Sequence, residues 1–97
     1  MSFREKVLRI LLKFGIRNQL KKLSEETYEV QEAINDISEF PISEDHKKHI
    51  EEEVADCSVL LNQFIEYFNL DRDRIEENIN YKIDRTLKRI EEGYYDR

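Results

Sequence analysis

Two pairs of carboxylates have a spacing that brings each pair to one side of a helix. Glu26 and Glu29 are three residues apart, and so are Glu53 and Asp56. Residues three apart are neighbours on a helix surface. If the two helices lie side by side, four carboxylates converge, and hard cations such as Mg²⁺ or Mn²⁺ prefer oxygen ligands of this kind. The spacing indicates a metal site, and an ordinary solvated acidic surface is the alternative.

Other polar residues extend this pattern along the first of these helices. Gln19 and Lys22 continue the flank that carries Glu26 and Glu29, whereas Glu25 points further toward solvent. Like charges three or four residues apart repel by a few tenths of a kcal/mol per pair. The crowding around Glu25 therefore needs either full solvation or a bound cation.

A basic stripe near the end of the chain suits an anionic ligand. Lys82 and Arg85 share a helix flank with Asn78 and Arg89. Arginine binds phosphate through two parallel hydrogen bonds, so the stripe favours a phosphate ligand. Ion pairing with the acidic helices explains the same residues equally well.

Four helices are predicted to position these side chains, over residues 3–13, 16–37, 44–69 and 72–92. Apolar residues recur at helical spacing in each, while Gly15 and Pro41 interrupt the pattern. Ser43 is a predicted N-cap, with acidic residues following it. The fold class predicted is all-α, a small four-helix bundle whose middle helices form an antiparallel hairpin.

The apolar spacing also predicts which residues of the last two helices face the core. For the third helix these are Ile50, Val54, Cys57, Leu61, Phe64 and Phe68. For the fourth they are Ile75, Ile79, Ile83, Leu87 and Ile90.

Length and composition limit the classes of protein that need to be considered. The 97 residues suit one domain, residues 1–97, with a modest core. The formal net charge of −6 argues against polymeric nucleic acid as a partner, since such binders are normally basic. No apolar run approaches a membrane span, and the N-terminus lacks a signal-peptide pattern. Cys57 has no internal disulfide partner, which suits the cytoplasm.

The two acidic pairs also match a known family signature. Glu25-Glu26-x-x-Glu29, followed after 23 residues by Glu53-x-x-Asp56, resembles the EExxE…ExxD motif of the MazG-like all-α nucleotide pyrophosphohydrolases. The preceding QLKKL, residues 19–23, and the later NYKIDR, residues 80–85, are also similar to segments of that family. The resemblance covers residues 15–90.

The resemblance implies Mg²⁺-dependent hydrolysis of a nucleoside triphosphate, NTP or dNTP, to the monophosphate and pyrophosphate, with Mn²⁺ as a possible substitute. It implies that the metal ligands are Glu26, Glu29, Glu53 and Asp56. Glu25 would bind a second ion through water or orient the attacking water. Lys82 and Arg85 would contact phosphates, and Gln19 and Lys22 would lie near the nucleotide.

Three questions stay open at the level of sequence. The family resemblance implies a homodimer or homotetramer without deciding between them. Phosphoribosyl-ATP pyrophosphohydrolases belong to the same superfamily and remain an alternative, although the segment after Asp56 favours the nucleotide branch. A non-catalytic helical interaction module with a solvated acidic flank is the other alternative.

Overall fold

The computed structural model describes residues 1–96, and it is helical almost throughout. The elements are α1 (Phe3–Phe14), α2 (Ile16–Asn35), α3 (Glu44–Tyr67), α4 (Arg72–Glu91) and a short 3₁₀ turn (Tyr94–Asp96). Arg97, the last residue of the predicted 1–97 domain, lies outside the described residues. The prediction of a small all-α bundle is confirmed.

Polar side chains cap the N-termini of three helices. The Ser2 hydroxyl accepts a hydrogen bond from the Glu5 amide at 3.1 Å, and Ser43 accepts one from the His46 amide at 3.2 Å. Asp71 does the same for the first turn of α4. Each cap satisfies a backbone donor that has no partner within its helix.

Two residues with positive φ make the sharp changes of chain direction. Gly15, between α1 and α2, has a φ of 91°, a conformation that side chains with a Cβ rarely adopt. Asn69, between α3 and α4, has a φ of 51°, in the left-handed region that asparagine tolerates better than most residues. Gly15 thus turns the chain from α1 into α2, and Asn69 turns it from α3 into α4.

The core lies where α1 crosses the α2–α3 hairpin. Its buried apolar residues are Val7, Leu11, Ala33, Leu60 and Phe64, and two glutamines, Gln19 and Gln63, are buried with them. The prediction for the core face of α3 was partly wrong. Phe64 is buried, but Val54, Leu61 and Phe68 are 46%, 49% and 58% exposed. The physical reason is that α3 is apolar on more than one face, and α1 and α2 cover only the face carrying Leu60 and Phe64.

Helix α4 extends away from this three-helix body. It packs against the terminal 3₁₀ turn and has almost no packing with α1, α2 or α3. The radius of gyration is 17.2 Å, compared with about 13 Å for a compact chain of this length. No helix within residues 1–96 has the length and apolar content needed to span a bilayer.

The apolar stripe of α4 is consequently left uncovered by its own chain. Ile79, Ile83, Leu87 and Ile90 are 46% to 57% exposed. The prediction that they face the core is therefore wrong for a single chain. Helical periodicity identified an amphipathic face correctly, but periodicity does not specify whether the surface that covers it belongs to the same chain.

Removing side-chain volume at Leu11 should destabilise the fold strongly. Leu11 is fully buried at the centre of the crossing, so Leu11→Ala should lower the free energy of unfolding by about 2–5 kcal/mol. Chemical denaturation at fixed protein concentration measures this change. Leu12→Ala is the matched control, because Leu12 is the next residue of the same helix and is 69% exposed. An equal loss for both variants would contradict the described core.

Candidate functional site

Three carboxylates from the two hairpin helices converge at one point. Oxygen atoms of Glu26, on α2, and of Glu53 and Asp56, on α3, all lie within 4.8 Å of one another. The Glu26 side chain is only 12% exposed, Glu53 is half-buried and Asp56 is exposed. The cluster is accessible on one side and held by helical backbone on the other.

The electrostatics of the cluster reflect negative charge that is not fully compensated. Partial burial is the largest cause of the raised pKa of Glu53, and the charge of Glu29 raises it further. His49 lowers it, and the charges of Asp56 and Glu26 raise it by smaller amounts. Three carboxylate oxygens within this distance fit the donor set of a hard divalent cation. The cluster therefore offers ligands that could hold such an ion, and the ion's charge would offset the neighbouring negative charge.

Cys57 lies beside the cluster but is not suited to nucleophilic chemistry. Burial raises the pKa of its thiol, and the charges of Glu26, Asp56 and Glu53 raise it further. The thiol is consequently kept in its protonated, weakly nucleophilic form, as the apolar setting predicted from the sequence suggested.

Lys22 supplies positive charge at the edge of the cluster. Its Nζ lies 3.1 Å from a Glu26 oxygen and 3.8 Å from a Glu25 oxygen. The hydrogen bond with Glu26 and the Coulombic attraction to it raise the pKa of Lys22. One ammonium group thus compensates part of the negative charge of the cluster.

The remaining acidic residues of the signature lie near the cluster but not in it. Glu29 is close enough for its charge to raise the pKa of Glu53, but it does not belong to the converging group found among the described residues. Its role as a metal ligand stays a prediction. Glu25 is about half exposed and pairs with Lys22, and it does not belong to the converging group found among the described residues.

A cavity of about 490 Å³ adjoins the cluster, within the size range of small-molecule sites. Glu26 and Asp56 form one part of its lining with Lys22, and Gln19 and Gln63 form another. The remaining lining residues are apolar: Ile10 and Phe14 from α1, and Val59 and Leu60 from α3. Of the predicted substrate-binding residues, the structure thus places Gln19 and Lys22 in the cavity wall.

Gln63 is a cavity residue that the sequence reasoning missed. It is 1% exposed, and its Oε1 accepts a hydrogen bond from Gln19 Nε2 at 3.0 Å. A signal for it existed, because Gln63 follows Asp56 by seven residues just as Gln19 precedes Glu26 by seven. The two helices of an antiparallel hairpin run in opposite directions. Seven residues back along α2 and seven residues forward along α3 therefore reach the same height along the hairpin, about two turns from the acidic cluster.

Lys82 and Arg85 are not brought to the cavity by their own chain. They lie on α4, and neither lines the cavity of the acidic cluster. Within residues 1–96 they form no ion pair. The Arg85 guanidinium lies over the Tyr81 ring at 5.6 Å, and its buried Nε has no hydrogen-bond partner. Intrachain pairing with the acidic helices, the alternative considered for this stripe, is therefore not formed.

Comparison with known proteins gives a family assignment. The family model described as the MazG nucleotide pyrophosphohydrolase domain matches residues 14–92, which include the acidic cluster, the cavity and the basic stripe of α4. Comparison with curated proteins and with solved structures gave no match. Because the matched region covers most of the 97 residues and contains both acidic pairs, the chain belongs to the MazG nucleotide pyrophosphohydrolase family.

Proposed function

We propose that this chain is a Mg²⁺-dependent enzyme of the cytoplasm that hydrolyses a nucleoside triphosphate, ribo or deoxyribo, to the monophosphate and pyrophosphate. The observation that carries the proposal is the convergence of Glu26, Glu53 and Asp56, two of which, Glu26 and Asp56, line a cavity of ligand size. Membership of the family supports nucleotide pyrophosphohydrolase chemistry in general. The identity of the ion and the choice of triphosphate are the finer parts of the proposal.

The acidic cluster would hold the ion, with Glu29 completing the ligand set after a side-chain rotation. Mg²⁺ bound there supplies charge neutralisation for the triphosphate and lowers the pKa of an attacking water. Glu25 lies one position before Glu26 and is exposed, which suits the orientation of that water or the binding of a second ion through water. The water oxygen forms the new bond to phosphorus, the bridging phosphorus–oxygen bond breaks, and pyrophosphate leaves.

Lys22 has a second role in this scheme. In the absence of a ligand its Nζ is held by Glu26 and Glu25. When a cation occupies the carboxylates, that attraction weakens, and the ammonium group is free to bind a phosphate oxygen within the same cavity. A lysine acting as a mobile point charge is suited to this exchange.

We further propose that the active form is a homodimer or homotetramer in which α4 packs on a second copy. The support is the exposed apolar stripe of α4, together with the exposed Val54, Leu61 and Phe68 of α3. Exposed apolar patches of this extent mark interaction surfaces in soluble proteins. Such packing would bring Lys82 and Arg85 to the phosphates at the partner's site.

Turnover of a substrate panel tests the proposed activity. With Mg²⁺, pyrophosphate should be released from at least one member of a panel of NTPs and dNTPs that also includes phosphoribosyl-ATP. Glu53→Gln should reduce that rate by at least about 100-fold, because even outer-shell changes at metal sites cost 10- to 100-fold. Glu52→Gln is the matched control, since Glu52 is an exposed neighbour outside the cluster. Activity only on phosphoribosyl-ATP would replace the proposed substrate, and no turnover at all would favour a non-catalytic helical module.

The raised pKa of Glu53 makes metal-free stability depend on pH. A carboxyl whose pKa is higher in the folded state contributes stability at low pH that is lost as pH rises through the folded-state pKa. Above that pKa, Glu53→Gln should therefore be more stable than the parent chain in the absence of metal, while Glu52→Gln should not. Urea denaturation across pH measures the difference. A Glu53→Gln variant that was less stable throughout would show that the cluster is not repulsive.

Charging the apolar stripe should dissociate the oligomer. Leu87→Glu places a carboxylate in the stripe and should reduce the mass measured by sedimentation to that of one chain, 11.8 kDa, with loss of turnover. Lys88→Glu introduces the same side chain one position away, where Lys88 is 75% exposed, and should leave the mass unchanged. A parent chain that sediments as a monomer would overturn the proposed assembly.

A further inference from the structure

The buried glutamine pair leaves two hydrogen-bonding groups unused. Gln19 and Gln63 are 7% and 1% exposed, and one hydrogen bond of 3.0 Å joins Gln19 Nε2 to Gln63 Oε1. Within residues 1–96 neither side chain makes another hydrogen bond, which leaves Gln19 Oε1 as an acceptor and Gln63 Nε2 as a donor. Buried amide groups of this kind normally have their capacity satisfied, so the pair has room for a ligand.

These two groups face the cavity rather than the packed interior. Among side-chain nitrogen and oxygen atoms of the described residues, only Arg85 Nε is both sealed from solvent and without a hydrogen-bond partner. Gln19 Oε1 and Gln63 Nε2 are therefore not completely sealed from solvent, and both residues line the cavity. An acceptor and a donor side by side make an amide-like edge that a ligand can pair with.

The surroundings of the pair specify the shape of that ligand. Ile10 and Phe14 from α1 and Val59 and Leu60 from α3 form apolar walls around it. Seven helical residues separate Gln19 from Glu26 and Gln63 from Asp56, a rise of about 10 Å between the pair and the acidic cluster. A flat, apolar-faced group with a polar edge, tethered to phosphates at the other end of the cavity, has the form of a nucleotide whose base lies against the glutamines.

We infer that Gln63 is a specificity-determining residue that reads the hydrogen-bonding edge of the nucleobase. Its Nε2 donates to an acceptor on the base, the adjacent Gln19 Oε1 accepts from a base N–H, and the hydrogen bond between the two glutamines fixes their spacing. This inference rests on the proposed function. Because all four common bases carry a neighbouring donor and acceptor on that edge, the pair selects bases that hydrogen-bond there rather than one base among four.

The test compares natural substrates with a substrate whose base has no such edge. The values of kcat/KM are measured for ATP, GTP, CTP and UTP and for the triphosphate of benzimidazole riboside, which keeps a flat bicyclic ring but lacks groups on the six-membered edge. For the parent chain, the preferred natural triphosphate should exceed the benzimidazole analogue by at least about tenfold, the value of one well-made hydrogen bond with its desolvation cost. Gln63→Met, similar in length but apolar, should remove most of that preference while the analogue retains its turnover.

Asn62→Met is the matched control for this comparison. Asn62 is the adjacent amide on α3, but its Nδ2 donates only to the Ser58 carbonyl at 2.8 Å, and it does not line the cavity. Its replacement should leave the preference intact. A parent chain that treats the analogue like the natural triphosphates, or a Gln63→Met variant that keeps the full preference, would overturn the inference.

Calorimetric binding of the corresponding monophosphates separates this inference from the proposed function. Adenosine and uridine monophosphates and benzimidazole riboside monophosphate are titrated into the parent chain and the Gln63→Met variant in the presence of Mg²⁺. A base preference in binding that disappears in Gln63→Met would support the role of Gln63 even if no triphosphate were hydrolysed. Turnover without any base preference would instead retain the function and reject the role of Gln63.

Discussion

Mutual repulsion among the carboxylates between α2 and α3 is the constraint around which this chain is organised. Glu26, Glu53 and Asp56 are held within a few ångströms by the same helices that form the core. Lys22 compensates only part of their negative charge. Burial and the surrounding carboxylates, Glu29 foremost among them, raise the pKa of Glu53. Helix packing thus holds together carboxylates that could bind a cation, at a cost in metal-free stability.

The hairpin also sets the layout of everything beside that site. Its helices run antiparallel, so a step of two turns along each leads from Glu26 to Gln19 and from Asp56 to Gln63. The carboxylates of Glu26 and Asp56 line one part of the cavity, and the neutral amides of Gln19 and Gln63 line another. Helix α1 closes the neutral part with apolar side chains. In the proposed function, the charged end of the substrate would lie at the carboxylates and its flat polar end at the glutamines.

The sequence predicted features that depend on neighbouring backbone better than features that depend on packing between distant segments. The cap at Ser43 and the break at Gly15 act through their own backbone neighbours, and they appear where expected. Of the first acidic pair, Glu26 lies in the converging group, while the role of Glu29 as a metal ligand stays a prediction. Gln63 was missed because a polar residue is expected at the surface, and its burial depends on Gln19, 44 positions away.

Two requirements remain unmet within one chain, and they have the same solution. The acidic cluster and the proposed triphosphate together carry more negative charge than Lys22 offsets, while within residues 1–96 Lys82 and Arg85 form no ion pair and lie on the helix that packs least. The same helix exposes an apolar stripe to water, which is energetically unfavourable. A second copy that buried the stripe would carry those cations with it. In the proposed assembly, the hydrophobic effect therefore supplies the energy that brings phosphate-binding charge to the carboxylates.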